Sequence, residues 1–169
     1  MWLKKTRPMS EHGKEAARER QFRATVMEKV RAIPPGQWQK TDRSYDTEQE
    51  TGYGKRKVRH EVIVYEAISN GVKVHLSMSK DSYEEAYSLE LDNGPVDRYR
   101  YFSHDDGYSG NEGNEQVRNL YWQAERSVAI LEGEKARPVR EARAAEASRN
   151  HAKRAAEEEK KRQDILRRL

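Results

Sequence analysis

Glu66 and His75 lie on either side of Asn70-Gly71, and if that dipeptide closes a hairpin, the carboxylate and the imidazole become direct cross-strand neighbours. A carboxylate at a ring nitrogen orients the imidazole and favours its charged form, which is one way to prepare a general base. A base alone is not a site. The sequence places no nucleophile beside it, so the pair reads first as a structural contact and only second as an enzyme centre. The chain has no cysteine, which excludes disulfides, thiolate zinc sites and cysteine nucleophiles. His104-Asp105-Asp106-Gly107 carries ligand-type side chains, but it has a single His and lacks EF-hand spacing, so a solvated loop is expected there. No cofactor or metal is expected.

Two stretches carry binding chemistry instead. Lys55, Arg56, Lys57 and Arg59 follow the glycine pair Gly52 and Gly54, and four cations on a mobile loop can grip phosphates. The glycines lack the spacing of a phosphate-binding Walker loop, and a solvated charge run is the competing reading. Arg98-Tyr99-Arg100-Tyr101-Phe102 interleaves cations with aromatics, as single-strand nucleic-acid surfaces do. Strand alternation explains the same pattern if both tyrosines face a core and both arginines face Glu90 and Ser88.

These residues need elements to hold them. Ser10 is a suitable N-cap for a helix whose Phe22, Val26, Val30 and Ile33 form an apolar stripe before Pro34-Pro35-Gly36 stops it. Its first half is charged nearly all round. Residues 34–56 read as a polar loop, with Trp38, Tyr45 and Tyr53 as its large apolar groups. Val58 to Ile68 and Val72 to Ser79 flank Asn70-Gly71, a strong two-residue turn signal, because both residues tolerate positive φ. The register then sets Ile63, Tyr65 and Ala67 opposite Met78, Leu76 and Val74 on one apolar face. Val62, Val64 and Ile68 fall on the other face with Glu66, Lys73, His75 and Ser77, so three aliphatics there need a cover or a partner.

A second hairpin joins Ala86 to Leu91 with Asp97 to Phe102. Pro95 cannot donate across an Asn93-Gly94 turn, so a five-residue loop from Asp92 to Val96 is expected. That loop pairs Leu89 with Tyr99, Tyr87 with Tyr101 and Glu90 with Arg98. Ser103 to Gly113 reads as a loop, and Val117, Leu120, Tyr121, Ala124, Val128 and Leu131 as an amphipathic helix, with Gly133 and Pro138 separating it from the charged tail. The expected fold is α+β: a four-stranded antiparallel meander flanked by an N-terminal helix and a C-terminal amphipathic helix, followed by a long charged helix. The corresponding divisions are a basic arm over 1–33, a polar loop over 34–56, a core over 57–137 and a tail over 138–169.

Composition agrees with one modest core. Leu, Ile, Val and Phe total 26, and 17 of them lie between Lys57 and Glu132. Val139 to Leu169 holds ten Lys/Arg, six Asp/Glu and seven Ala without Gly, Pro or an aromatic, the makeup of a solvated helix. Its same-face series Lys160, Asp164, Arg168 can form ion pairs, and Ile165, Leu166 and Leu169 form a terminal apolar group. Formal charge runs +5 over 1–33, −5 over 34–138 and +4 over 139–169, so basic arms bracket an acidic middle. No segment has the length or composition of a signal peptide or membrane span, and a cytoplasmic location is expected. The first functional reading is a non-enzymatic accessory or assembly protein that binds a macromolecular partner, a protein, through the basic arms and the face bearing Val62, Val64 and Ile68. The alternative is nucleic-acid binding through Lys55, Arg56, Lys57, Arg59 and the arms.

Overall fold

A computed structural model describes residues 9–92, 94–104 and 107–168. Helix α1, Glu11–Arg31, is capped by Ser10, whose Oγ accepts the Gly13 amide at 3.2 Å. Its buried stripe is Val26, Met27 and Val30, continued by Ile33, while Phe22, one turn earlier than expected for burial, is 52% exposed. Pro34 ends the helix and a 3-10 turn over Pro35–Gln37 delivers Trp38 to the core.

Seven antiparallel strands follow: β1 Gln39–Asp42, β2 Tyr45–Thr51, β3 Gly54–Ser69, β4 Val72–Lys80, β5 Glu84–Leu91, β6 Gly94–Ser103 and β7 Ser109–Gly113. The spatial order is β1-β3-β4-β5-β6-β7, and β2 pairs with the first half of β3. The meander therefore has three more strands than expected, and residues 34–56 are not a loop. β1 and β2 escape an apolar-alternation reading because all but Thr41 are exposed. Their pairing is set by polar partners across β3, such as Glu48 opposite Lys57 and Asp46 opposite Arg59. Likewise β7, Ser-Gly-Asn-Glu-Gly, has only loop-type residues but completes the sheet against β6.

The first hairpin forms in the expected register, with Ser69 opposite Val72, Tyr65 opposite Leu76 and Glu66 opposite His75. Asn70 and Gly71 sit at φ 49° and 79°, the left-handed region that asparagine tolerates and glycine, lacking a Cβ, adopts freely. The second hairpin departs from expectation. Leu91 pairs with Gly94, so only two positions separate the strands, and Asp92 takes φ 47°. Asn93 lies outside the described residues. Pro95 is accommodated by turning one residue before Asn93-Gly94 and by a register shift between Leu89 and Glu90, which leaves Val96 unmatched. Tyr87 consequently faces Tyr99, Ser88 faces Arg98 and Leu89 faces Asp97. Asp92 is held by β4 in both directions: its amide donates to the Lys73 carbonyl and its Oδ1 accepts the Lys73 amide, each at 2.9 Å.

One alternation set of the sheet supplies the core: Tyr65, Ala67, Val74, Leu76, Met78, Tyr87, Leu89 and Tyr99. Helices α1 and α2 cover it, α2 through Val117, Leu120, Tyr121, Ala124 and Val128. The Tyr121 ring packs edge-on against Tyr65 at 5.3 Å and Tyr87 at 5.2 Å. Gly113 lets the chain pass from β7 into α2, since at φ 93° a Cβ would overlap the Arg98 carbonyl.

Helix α2 spans Glu115–Arg168 and runs through Gly133 and Pro138, where a break was expected. Pro138 leaves the Glu134 carbonyl without its amide donor, but the stretch from Glu134 onward is exposed, so solvent can satisfy that carbonyl; one carbonyl earlier, Gly133 accepts the Arg140 guanidinium at 2.9 Å. The chain divides into two units, one ending at Val128 and one beginning at Ala129.

Two substitutions test this packing. Gly113→Ala adds both a clash and positive-φ strain, so it should lower stability by more than about 1 kcal/mol in denaturant titration. Tyr121→Phe should raise stability by roughly 1 kcal/mol at neutral pH, because the Tyr121 hydroxyl is buried without a hydrogen-bond partner among the described residues. Burial, and next Glu125, push that hydroxyl above the ordinary tyrosine value, and burial with Glu85 does the same for Tyr87. Because burial disfavours the phenolate, neither tyrosine lowers stability below the unfolded tyrosine pKa of about 10, and stability falls as pH rises beyond it, where only the unfolded chain ionises readily. The melting temperature should therefore fall above pH 10, less steeply in Tyr121→Phe.

Candidate functional site

The basic run sits on a two-stranded ribbon rather than a loop. Thr51 and Gly54 are paired across Gly52-Tyr53, so Lys55, Arg56, Lys57 and Arg59 enter β3 opposite Glu50, Gln49, Glu48 and Asp46. Alternation places Lys55, Lys57 and Arg59 on one face with the three carboxylates. Lys55 Nζ is 3.6 Å from Glu48 Oε2, and an Arg59 guanidinium nitrogen is 3.7 Å from Asp46 Oδ1. Arg56 lies on the other face with Gln49, beside a stack of Tyr45 on His60 at 4.9 Å and a 2.9 Å contact between Thr47 Oγ1 and His60 Nε2. All four cations are exposed, but three have acidic neighbours within the ribbon. A phosphate would compete with those carboxylates.

Val62, Val64 and Ile68 have separate fates. Val64 is buried, and Val62 is half-buried where the β1–β2 connection folds over it. There the Arg43 amide donates to the Val62 carbonyl at 2.8 Å and the Val62 amide donates to Ser44 Oγ at 3.1 Å. Asp42 secures this connection by accepting from Ser44, and those hydrogen bonds, that of the Ser44 side chain first, hold its carboxyl below the usual range. Ile68 alone is left wet, at 67% exposure. It borders a depression of about 270 Å³ lined also by Gly36, Gln37, Gln39, Glu66 and Lys73.

Glu66 and His75 do touch, Oε1 to Nδ1, at 3.2 Å. The same carboxylate lies 3.8 Å from Lys73 Nζ and 3.9 Å from an Arg43 nitrogen, so it is shared among three basic side chains. His75 also faces Glu90 of β5, and its Nε2 is buried without a hydrogen-bond partner among the described residues. A base needs its free nitrogen open to substrate; here that nitrogen is enclosed, and His75 does not line the Glu66 depression.

The arginine-tyrosine run follows alternation only in part. Tyr99 is buried, but Tyr101, which lies opposite Glu85 instead of the expected Tyr87, is 40% exposed at the edge of the core. Arg100 binds Glu112 at 2.8 Å and Glu84 at 3.5 Å, and lies 5.6 Å over the Phe102 ring. Phe102, His104 and Tyr108 stack on one another at 5.8 to 6.2 Å. Asp105 and Asp106 of the acidic run lie outside the described residues, and among those described no group of three metal-ligating side chains converges.

Arg118 was missed by the sequence reading. Its guanidinium sits 4.8 Å from the Tyr99 ring and 4.6 Å from Trp122 and pairs with Glu115. The i, i+3 and i, i+4 spacing to Glu115 and Trp122 was the available signal.

In the second unit every side chain from Glu134 to Arg168 is exposed. Arg168 pairs with Asp164 at 3.1 Å, as the four-residue spacing requires, and Arg137 with Glu141 at 3.8 Å. Ile165 and Leu166 are 61% and 71% exposed; Leu169 lies outside the described residues. No helix among the described residues is long and apolar enough to cross a membrane. Comparison with protein-family models, with curated proteins and with solved structures finds no match to this chain, so its function must be argued from these surfaces.

Proposed function

We propose that this is a non-enzymatic interaction protein, an accessory or assembly subunit, that holds a protein partner through its basic helix beyond Pro138 and the sheet surface around Ile68. The observation that carries this reading is the wholly exposed helix from Glu134 to Arg168, which buries nothing of its own yet ends in exposed Ile165 and Leu166. Isolated helices gain little without packing, and an apolar end on a charged helix supplies what a partner groove takes up. Ile68 adds a second wet aliphatic beside Lys73 and Glu66, a mixed patch of the kind found at interface rims.

Nucleic-acid binding is the second reading, favoured by the +4 charge over 139–169 and a pI near 9.2. The ribbon weakens it, because Lys55, Lys57 and Arg59 already face Glu50, Glu48 and Asp46.

Truncation after Arg137 should leave the melting temperature within a few degrees, since only exposed residues are removed. In affinity capture from the native host, the full chain should retain a defined protein after nuclease treatment and at physiological salt. The truncated chain should lose it, and Ile68→Asp should weaken it by roughly tenfold, the worth of one buried aliphatic contact. Capture that vanishes with nuclease, or that collapses between low and physiological salt, would favour nucleic acid instead.

A further inference from the structure

Three arginines of α1 turn toward one cavity. Arg20, Arg23 and Arg31 lie on the helix face that also carries Ala24 and Met27, and these five line a space of about 410 Å³ closed on its far side by Asp97, Gly113, Asn114 and Gln116. The wall thus holds three permanent cations and one carboxylate.

The carboxylate is already engaged. Asp97 has a side chain only 9% exposed; its Oδ2 accepts the Asn114 amide at 2.9 Å, and its Oδ1 accepts the Arg98 backbone amide at 2.9 Å and lies 3.8 Å from Arg23. Arg23 is further held by Glu19, whose Oε1 takes the Arg23 Nε at 3.1 Å. Arg31 donates to a neutral group, Gln116 Oε1, at 2.7 Å, and Arg20 has no ion pair among the described residues. Two guanidinium groups therefore border the cavity without a carboxylate of their own. With its oxygen receiving Arg31, Gln116 keeps its amide nitrogen as a donor, and that nitrogen has no hydrogen-bond acceptor among the described residues. Met27 and Ala24 supply an apolar floor.

We infer that this cavity binds a small organic phosphate, with Arg20 and Arg31, whose Cα atoms the helix rise sets about 16 Å apart, reaching inward from its two ends to the phosphate oxygens and Met27 and Ala24 carrying the organic body. Guanidinium forks match phosphate oxygens in geometry as well as charge, which a single Lys would not. The volume falls in the range of small-molecule sites, about 300 to 1,000 Å³, and exceeds what a bare phosphate fills. The apolar floor accounts for that excess. This inference is independent of partner binding by the helix beyond Pro138.

Isothermal titration of the full chain with phenyl phosphate, inorganic phosphate and benzyl alcohol tests it. Saturable binding of phenyl phosphate, tighter than inorganic phosphate and undetectable for the alcohol, is expected. Arg20→Gln should weaken phenyl phosphate by about tenfold, and Arg20→Gln with Arg31→Gln by about a hundredfold, from charge-assisted hydrogen bonds lost one by one. Arg143→Gln with Arg149→Gln, on the exposed second unit, should change the affinity less than twofold at the same ionic strength. Since Arg31 also contacts Gln116, the Arg20 single variant decides the matter if the double variant melts earlier. Absence of saturable binding, equal affinity in Arg20→Gln, or equal loss in the Arg143/Arg149 control would overturn the inference.

Discussion

The edge-on seat of Tyr121 between Tyr65 and Tyr87 is the contact on which the first unit depends. Tyr65 and Tyr87 stand on β3 and β5, two strands apart, with Leu76 of β4 fully buried between their rows. A ring wedged across that span fixes where α2 lies on the sheet. Aromatic pairs of this kind contribute about 0.5 to 1.5 kcal/mol each beyond their buried area. The same seat places Val117 and Leu120 over the core, and it brings Trp122 within 6.4 Å of Tyr87. An unpartnered hydroxyl at such a position is a cost the fold bears, offset by the two ring contacts.

Strand β3 divides into two physically different halves. From Ile63 to Glu66 it is paired on both edges, by β1 and β4, and Tyr65, with Ala67 just beyond, reaches the core. From Gly54 to His60 it is paired with β2 alone, and that ribbon stands on cross-strand charge and hydrogen-bond pairs. Each such pair contributes roughly 0.2 to 1 kcal/mol, and a free two-stranded hairpin is marginal in water. Covalent continuity with the buried half of β3 supplies the alignment that the ribbon could not maintain alone.

The parts of the fold legible in the sequence are those where local chemistry and burial agree. Asn70-Gly71 fixed one hairpin residue by residue, and the Val26, Val30, Ile33 stripe found the buried face of α1. Pro95 correctly excluded an Asn93-Gly94 turn, but the short connection between Leu91 and Gly94 and the one-residue bulge at Val96, both set by tertiary pairing, together leave Leu89 opposite Asp97, two residues from the expected Tyr99. β1, β2 and β7 were invisible because apolar periodicity records a half-buried strand, and these strands bury almost nothing. The helix across Pro138 was missed for the converse reason: local propensity argued for a stop, and a helix exposed from Glu134 onward tolerates the loss of one amide bond, because solvent reaches the freed carbonyl. The Glu66/His75 contact was read correctly as a neighbour pair, whereas the enclosure of His75 Nε2 required the surrounding strands.

Where the positive charge is left uncompensated decides which surfaces can act at a distance. Lys55, Lys57 and Arg59 face acidic residues of β2, Arg100 lies between Glu84 and Glu112, and Arg118 rests on two aromatic rings beside Glu115. These cations are bound into the fold, and their fields are largely cancelled within a few ångströms. Arg20 and Arg31 on α1 are not so matched, and residues 139–169 carry a net +4 on a helix exposed through Arg168. A charge run in the sequence is therefore a poor guide to a binding surface when the next strand repeats it with opposite sign. The cations with no carboxylate opposite them, which are sparser and scattered through two helices, are those able to draw an anionic group from solvent.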